Sequence, residues 1–284
     1  MDFLDILKDT IVDAVKILPF LLIAYLIMEY IEHKTTNKTR EAIKKSGKFG
    51  PLIGGILGAV PQCGFSVTAT NFYAGRIITL GTLFSVYLST SDEMLPIMLS
   101  RGVPGPLILK ILGIKIVIGI VIGFLIDIFI RFFKKNKNED NNIENICKHE
   151  HCHCEEGIFK SAIKHTLNIF VYIFVLSLIL NIAIELIGTE KLEALISNKP
   201  ILGSLIAGLI GLIPNCASSV VLTECYLSGI LNLGMMIGGL LINAGVGLLV
   251  LFRVNKNQKE NIGITLVLYV IGVIAAIALQ KLTL

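Results

Sequence analysis

Charge is scarce in this chain: of 284 residues only 16% are Asp, Glu, Lys or Arg, against 54% that are hydrophobic. That balance excludes an ordinary soluble domain, and because the charges cluster between long apolar blocks no soluble domain of useful size remains. No GxxxxGK[ST] phosphate loop occurs, so the chain carries no nucleotide motor of its own. HExxH is absent too, and a Ser-His-Asp set would have to be assembled from scattered residues, so hydrolytic chemistry is unsupported and no enzyme is expected. A membrane-embedded protease is the enzyme alternative, and the single in-span aspartate before MLP argues against a paired-aspartate site. The N-terminus lacks the basic n-region and small-residue cleavage site of a secretory signal. The apolar blocks lack the period-two alternation of membrane strands, which removes a barrel. The net charge of +4 sits in short loops, where it fixes orientation rather than contacting nucleic acid.

What is present is an all-α polytopic membrane protein. Blocks long enough to cross about 30 Å of hydrocarbon as helices occur near 17–32, 77–99, 106–130, 158–187, 230–251 and 262–283. Ahead of them, Phe3, Leu4, Ile6, Leu7, Ile11, Val12 and Val15 alternate at helical spacing with Asp2, Asp5, Asp9 and Asp13, which predicts an interfacial helix. Two further blocks, 50–75 and 201–228, carry polar interruptions: VPQCGFS at 60–66 and IPNCASS at 213–219.

Sliding the chain against itself by 153 positions superimposes these two blocks, matching Gly55 with Gly208, Pro61 with Pro214, Cys63 with Cys216, Ser66 with Ser219, Thr70 with Thr223 and Gly81 with Gly234. The chain is a duplicated unit, expected as a first repeat over 1–132, a linker over 133–157 and a second repeat over 158–284. Lys and Arg number six in 33–48, five in 131–157 and three in 252–261, but one in 100–105 and two in 188–200, which makes the rich loops cytoplasmic. Loops 33–48 and 131–157 can share a side only if an even number of crossings separates them, yet three blocks lie between. The parity is repaired if 50–75 enters and leaves on one side as a re-entrant hairpin broken at Pro61–Gly64. Each repeat then has three spanning helices and one hairpin, the second copy is inverted, and both termini are external. Inverted repeats with broken helices near the midplane are the build of many secondary transporters. Two full spans kinked at proline, for eight crossings, are the alternative.

The candidate ligands follow from the interruptions. Gln62, Cys63, Ser66, Thr70 and Asn71 flank the first; Asn215, Cys216, Ser219 and Glu224 flank the second. STSDEMLP adds Asp92 and Glu93, and Asn243 occupies the position corresponding to Thr90. Carboxylates within spans usually face a partner or a polar cavity. Oxygen donors suit hard ions such as Mn²⁺, while Cys63 and Cys216 suit soft ions or trivalent arsenic, or simply pack. Lys115 is an internal counter-charge for a carboxylate, or a snorkelling lysine. The loop CKHEHCHCEE offers Cys147, His149, His151, Cys152, His153 and Cys154, a density that suits a dynamic metal-capturing tail rather than a zinc finger.

The stretches GAVPQCGFSVTATNFYAGRIITLGTLFSVYLSTSDEMLPIML and GLIPNCASSVVLTECYLSGILNLG resemble the bacterial ten-helix heavy-metal exporters, also labelled manganese transporters or arsenic-efflux-like proteins. The resemblance covers most of the chain and implies movement of a metal or metalloid out of the cell across the inner membrane. Six spans and four hairpin arms make the ten helices of that family. The expectation is a secondary-active exporter of a divalent heavy metal, first of all Mn²⁺, bound at the two hairpin tips and driven by H⁺ or Na⁺, with no cofactor and a homodimer among its assemblies. A metalloid or small organic-anion permease, and a metal-responsive membrane sensor built on the His/Cys loop, are the alternatives.

Overall fold

A computed structural model describes residues 47–60, 63–91, 93–133 and 200–283, with scattered helical positions between 8 and 26 and between 163 and 182. All the regular structure described is helical. The first half contains α1 (Gly50–Gly58), α2 (Cys63–Ala74), α3 (Leu80–Ser89), α4 (Met94–Ser100) and α5 (Gly105–Phe133). The second contains α6 (Pro200–Gly211), α7 (Cys216–Leu227), α8 (Leu233–Ile242), α9 (Gly247–Val254) and α10 (Gln258–Thr283). Helices α2 and α7, α3 and α8, α4 and α9, and α5 and α10 each start 153 residues apart, so the offset found in the sequence recurs in the helix boundaries.

Local chemistry accounts for the repeated boundaries. Helices α1 and α6 stop before Pro61 and Pro214, because a proline pushes its predecessor out of helical backbone. The Thr79 hydroxyl accepts the Thr82 N–H at 3.1 Å to cap α3, and the Asn232 side chain accepts the Met235 N–H at 2.8 Å to cap α8. Helices α2 and α7 both end in a Schellman turn: Ile77 N–H donates to the Phe72 carbonyl at 2.8 Å, and Ile230 N–H to the Cys225 carbonyl at 2.9 Å. The left-handed residue that such a turn needs is Gly229 (φ 78°) in the second half but Arg76 (φ 56°) in the first. Arg76 is the one non-glycine with positive φ among the described residues. Its guanidinium is held bidentately by Glu260, with both N to O distances at 3.1 Å, and lies 5.2 Å from the Tyr73 ring centroid. Those contacts offset a backbone conformation that arginine seldom adopts.

The structure modifies the sequence reading at 77–99 and 230–251, expected as single spans. Each is two helices separated by extended backbone: α3 and α4 part at Thr90 (φ −53°, ψ 127°), α8 and α9 at Asn243 (φ −72°, ψ 93°). Neither break needs a proline at its centre. Ser89 and Thr90 hydroxyls bond back to the Ser85 and Val86 carbonyls at 2.8 Å each, which competes with continuation of the helix. At the second break the Asn243 side chain accepts the Gly245 N–H at 2.9 Å, and Gly245 itself is left-handed (φ 54°).

Among the described residues three stretches are long and apolar enough to cross a membrane: Gly105–Phe132, Leu233–Val254 and Gln258–Lys281. The outer two are 28% and 22% buried and the interrupted one 89%, so α5 and α10 form the lipid-side shell and α8–α9 the interior. On α10, Ile262, Leu266, Val270 and Ile274 make an exposed apolar stripe at every fourth position, as lipid contact requires.

Within each half, α3 packs on α1 and α5, and α8 on α6 and α10. Between halves the contacts exchange: α2 meets α9, α7 meets α4, and α3 meets α8. Gly81 N–H and the Thr79 hydroxyl both donate to Asp127, at 2.9 and 2.7 Å, which fixes the start of α3 beside the end of α5. Asp127 lies about 33 Å along the helix from Gly105. Arg76 therefore ties α10's first turn to the face where α5 ends, whereas Arg101, just before α5 begins, pairs with Glu224 at 3.0 Å near the end of α7. Helices α5 and α10 consequently run in opposite directions.

A Cβ added to Gly81 would lie 2.1 Å from the Gly123 carbonyl oxygen, while one added to Gly113 meets nothing within 4 Å. Gly81→Ala should lower stability by roughly 1–3 kcal/mol, and Gly113→Ala should leave it unchanged or slightly raised. Thermal unfolding of the two purified variants in detergent checks the contrast.

Candidate functional site

The two helix breaks meet at one buried centre. Helices α3 and α8 end there, α4 and α9 begin there, and α5 supplies Lys115 between them. Lys115 is fully buried, and its ammonium donates to the Leu240 carbonyl of α8 at 2.9 Å and to the Thr90 carbonyl at the end of α3. Both acceptors belong to helix C-termini, where unpaired carbonyls and the helix dipole present negative potential. A rise of about 1.5 Å per residue puts Lys115 about 15 Å from the Gly105 end of α5, near mid-membrane depth.

A second link joins the halves. The Thr70 hydroxyl of α2 and the Tyr87 hydroxyl of α3 are 2.6 Å apart, and each lies 3.2 Å from the Gly247 carbonyl in the first turn of α9. The Thr70 hydroxyl also reaches the Ser66 carbonyl at 2.7 Å. Gly247 has no room for a side chain: a Cβ would come within 2.9 Å of Ser66 and 3.1 Å of Tyr87. The break in the first half is tied to the end of α1 as well, since the Ser91 hydroxyl donates to the Ala59 carbonyl at 2.8 Å.

Of the residues singled out from sequence, Ser66, Thr70, Asn71, Asn215, Cys216, Ser219 and Asn243 are all buried. The Asn71 amide donates to the Val67 carbonyl at 3.0 Å and the Ser219 hydroxyl to the Cys216 carbonyl at 2.7 Å. Asn215 precedes α7 in extended backbone, and its carbonyl accepts the Ser218 hydroxyl at 2.7 Å. Cys216, at the start of α7, shares a buried cluster with Val67 of α2, with Val246 just before α9 and with Val250 within it. Asn243 is 2% exposed; with its Oδ1 engaged by Gly245, its Nδ2 has no hydrogen-bond partner among the described residues. Glu93 immediately precedes α4 at intermediate exposure, without a side-chain bond to the helix's first turn. Glu224 stands about two turns beyond Cys216 at the start of α7, with its carboxylate engaged by Arg101. Gln62, Asp92 and the side chain of Cys63 lie outside the described residues, as do Cys147, His149, His151, Cys152, His153 and Cys154. Among the described residues no three His, Cys, Asp or Glu side chains come together as a metal site.

Tyr87 and Gly247 went unnoticed in the sequence. Their signal lay in the repeat: Tyr87 aligns with Leu240 and Gly247 with Met94, so each is the odd member of its pair. Outside the membrane-spanning helices, the Glu260 carboxylate holds the Arg76 guanidinium above its usual pKa, against the opposing effect of burial.

Interrupted helices from two duplicated halves, converging on buried polar groups inside an apolar helical shell, define a multi-pass helical membrane protein of the kind that handles a solute. The chain belongs to the family described as "Putative, 10TM heavy-metal exporter", which matches residues 2–186 and 130–279. That is a family of transporters and not of enzymes, and its description fits the transport of a metal or metalloid. No curated protein and no solved structure matches the chain.

Tyr87→Phe and Thr70→Val should each lower stability by about 1 kcal/mol. The double variant should lose less than the sum, with a coupling of about 0.5 kcal/mol or more. A double-mutant cycle on unfolding in detergent measures it; strict additivity would contradict a shared contact across the halves.

Proposed function

We propose that the chain is a secondary-active exporter that carries a heavy metal, in the first place Mn²⁺, through a site between the two hairpin tips and the two helix breaks. The repeats 1–132 and 158–284 form inverted halves about that site, joined by the cytoplasmic linker 133–157, in the bacterial inner membrane with both termini outside. The observation that carries the reading is the convergence of four helix ends from both halves on one buried polar centre, the construction with which alternating access proceeds by rocking one half against the other. The opposite directions of α5 and α10 support the inversion, and the packing of Cys216 with Val67 supports the meeting of the tips. Ion pairing supports the sidedness: Arg76 with Glu260 joins two segments expected inside, and Arg101 with Glu224 two expected outside.

In this site Gln62, Asn71, Asp92, Glu93, Asn215 and Asn243 supply oxygen ligands or the coupling proton, with the hydroxyls of Ser66, Thr70 and Ser219 beside them. Hydroxyl, amide and carbonyl oxygens suit a hard divalent ion. Glu224 acts at the outward mouth, where its pair with Arg101 opens and closes with access. The gradient of H⁺ or Na⁺ drives the cycle, and the His/Cys loop captures metal on the cytoplasmic side. A second reading, a metalloid permease, is favoured by the buried Asn243 amide nitrogen, a donor suited to the oxygens of a metalloid acid, with Cys63 and Cys216 as thiol ligands.

Purified protein in liposomes should move Mn²⁺. Asp92→Asn should abolish that flux while Cys63→Ser preserves it. Flux of arsenite with the reverse pattern would replace the first reading by the second. Movement of no ion, with deletion of 147–154 abolishing every cellular phenotype, would leave a sensor.

A further inference from the structure

Sodium-coupled transporters built from broken helices bind their ion with backbone carbonyls at half-helix C-termini. Here the corresponding place is filled by the protein itself. Helices α3 and α8 direct their C-termini at one point, and the point is occupied by the Lys115 ammonium, which donates to the Thr90 and Leu240 carbonyls. Duplication would have made two such places, but the position equivalent to Lys115 is Leu268, fully buried on α10, so a cation is built in on one side only. A lysine at mid-membrane is expensive to bury, and the two carbonyl ends supply compensation of the kind it needs.

The geometry points to a monovalent-cation site whose occupant is the tethered ammonium of Lys115, so that the helix breaks are held together without sodium. For the transport cycle, an inference that rests on the reading of the chain as an exporter, this makes Na⁺ dispensable as a coupling ion. Movement of Lys115 off the Thr90 or Leu240 carbonyl would release α3 from α8, the two elements whose separation opens the centre.

The test uses purified full-length protein in detergent, with NaCl, KCl or methylammonium chloride exchanged against choline chloride at constant ionic strength. The wild type should melt at the same temperature in all four salts. Lys115→Ala should melt lower and recover, saturably, by a few degrees in methylammonium or Na⁺ but not in choline, as a ligand binding only the folded state does. Indifference of Lys115→Ala to every small cation would overturn the inference. So would saturable stabilisation of the wild type by Na⁺, a measurement that needs no variant and therefore decides the matter even if Lys115→Ala does not fold. Mn²⁺ flux of the same wild-type preparation in liposomes is scored separately. Flux without cation rescue removes this inference alone; rescue without flux of any metal or metalloid removes the transport reading and leaves the site.

Discussion

One cation holding two helix ends organises this protein. Helix C-termini repel one another when they meet in a medium of low dielectric constant, and α3 and α8 meet deep inside an apolar shell. The Lys115 ammonium turns that repulsion into a shared attraction, because it bonds a carbonyl from each. The remaining interior polar contacts make sense around this fact. Ser89 and Thr90 hydroxyls satisfy carbonyls that a continuous helix would have used, Ser91 reaches the carbonyl at the end of α1, and Thr70 with Tyr87 anchors the first turn of α9. Every one of these groups would be costly to bury singly; together they leave one donor, the Asn243 amide nitrogen, without a partner among the described residues.

The duplication is symmetrical in outline and asymmetrical in chemistry. Helix starts repeat at a fixed offset, and capping residues correspond as Thr79 and Asn232. Several polar groups have no counterpart: Lys115 aligns with Leu268, Tyr87 with Leu240, and Arg76 stands where the second half has the left-handed Gly229. Repetition at a fixed offset supplies the pair of helix breaks, and departures from it supply charge and hydrogen bonding at one centre instead of two.

Much of this was legible before any coordinates. The repeat, the helical class and the polar interruptions at Pro61 and Pro214 came directly from residue order, because proline and apolar run length act locally. The breaks at Thr90 and Asn243 were hidden: the blocks 77–99 and 230–251 are apolar enough overall to pass as spans, and hydroxyl back-bonding at Ser89 and Thr90 is a property of three-dimensional surroundings. Lys115 announced itself as a buried charge, but the Thr90 and Leu240 acceptors are main-chain carbonyls, which sequence does not mark. Glu224 read as a candidate ligand because it lies in an apolar block, and only the fold brings Arg101, far away in sequence, against it.

The uneven burial of the long helices has a mechanical consequence. Helices α5 and α10 show most of their surface to the surroundings, while the interrupted stretch α8–α9 is enclosed. Bilayer thickness therefore acts on the two uninterrupted rods, which answer mismatch by tilting, and the kinked core is shielded from it. Because α5 packs on α3 and α10 on α8, a change in lipid length that tilts either rod is passed to the helix beside it and so to the breaks at Thr90 and Asn243, making the membrane itself a lever on this fold.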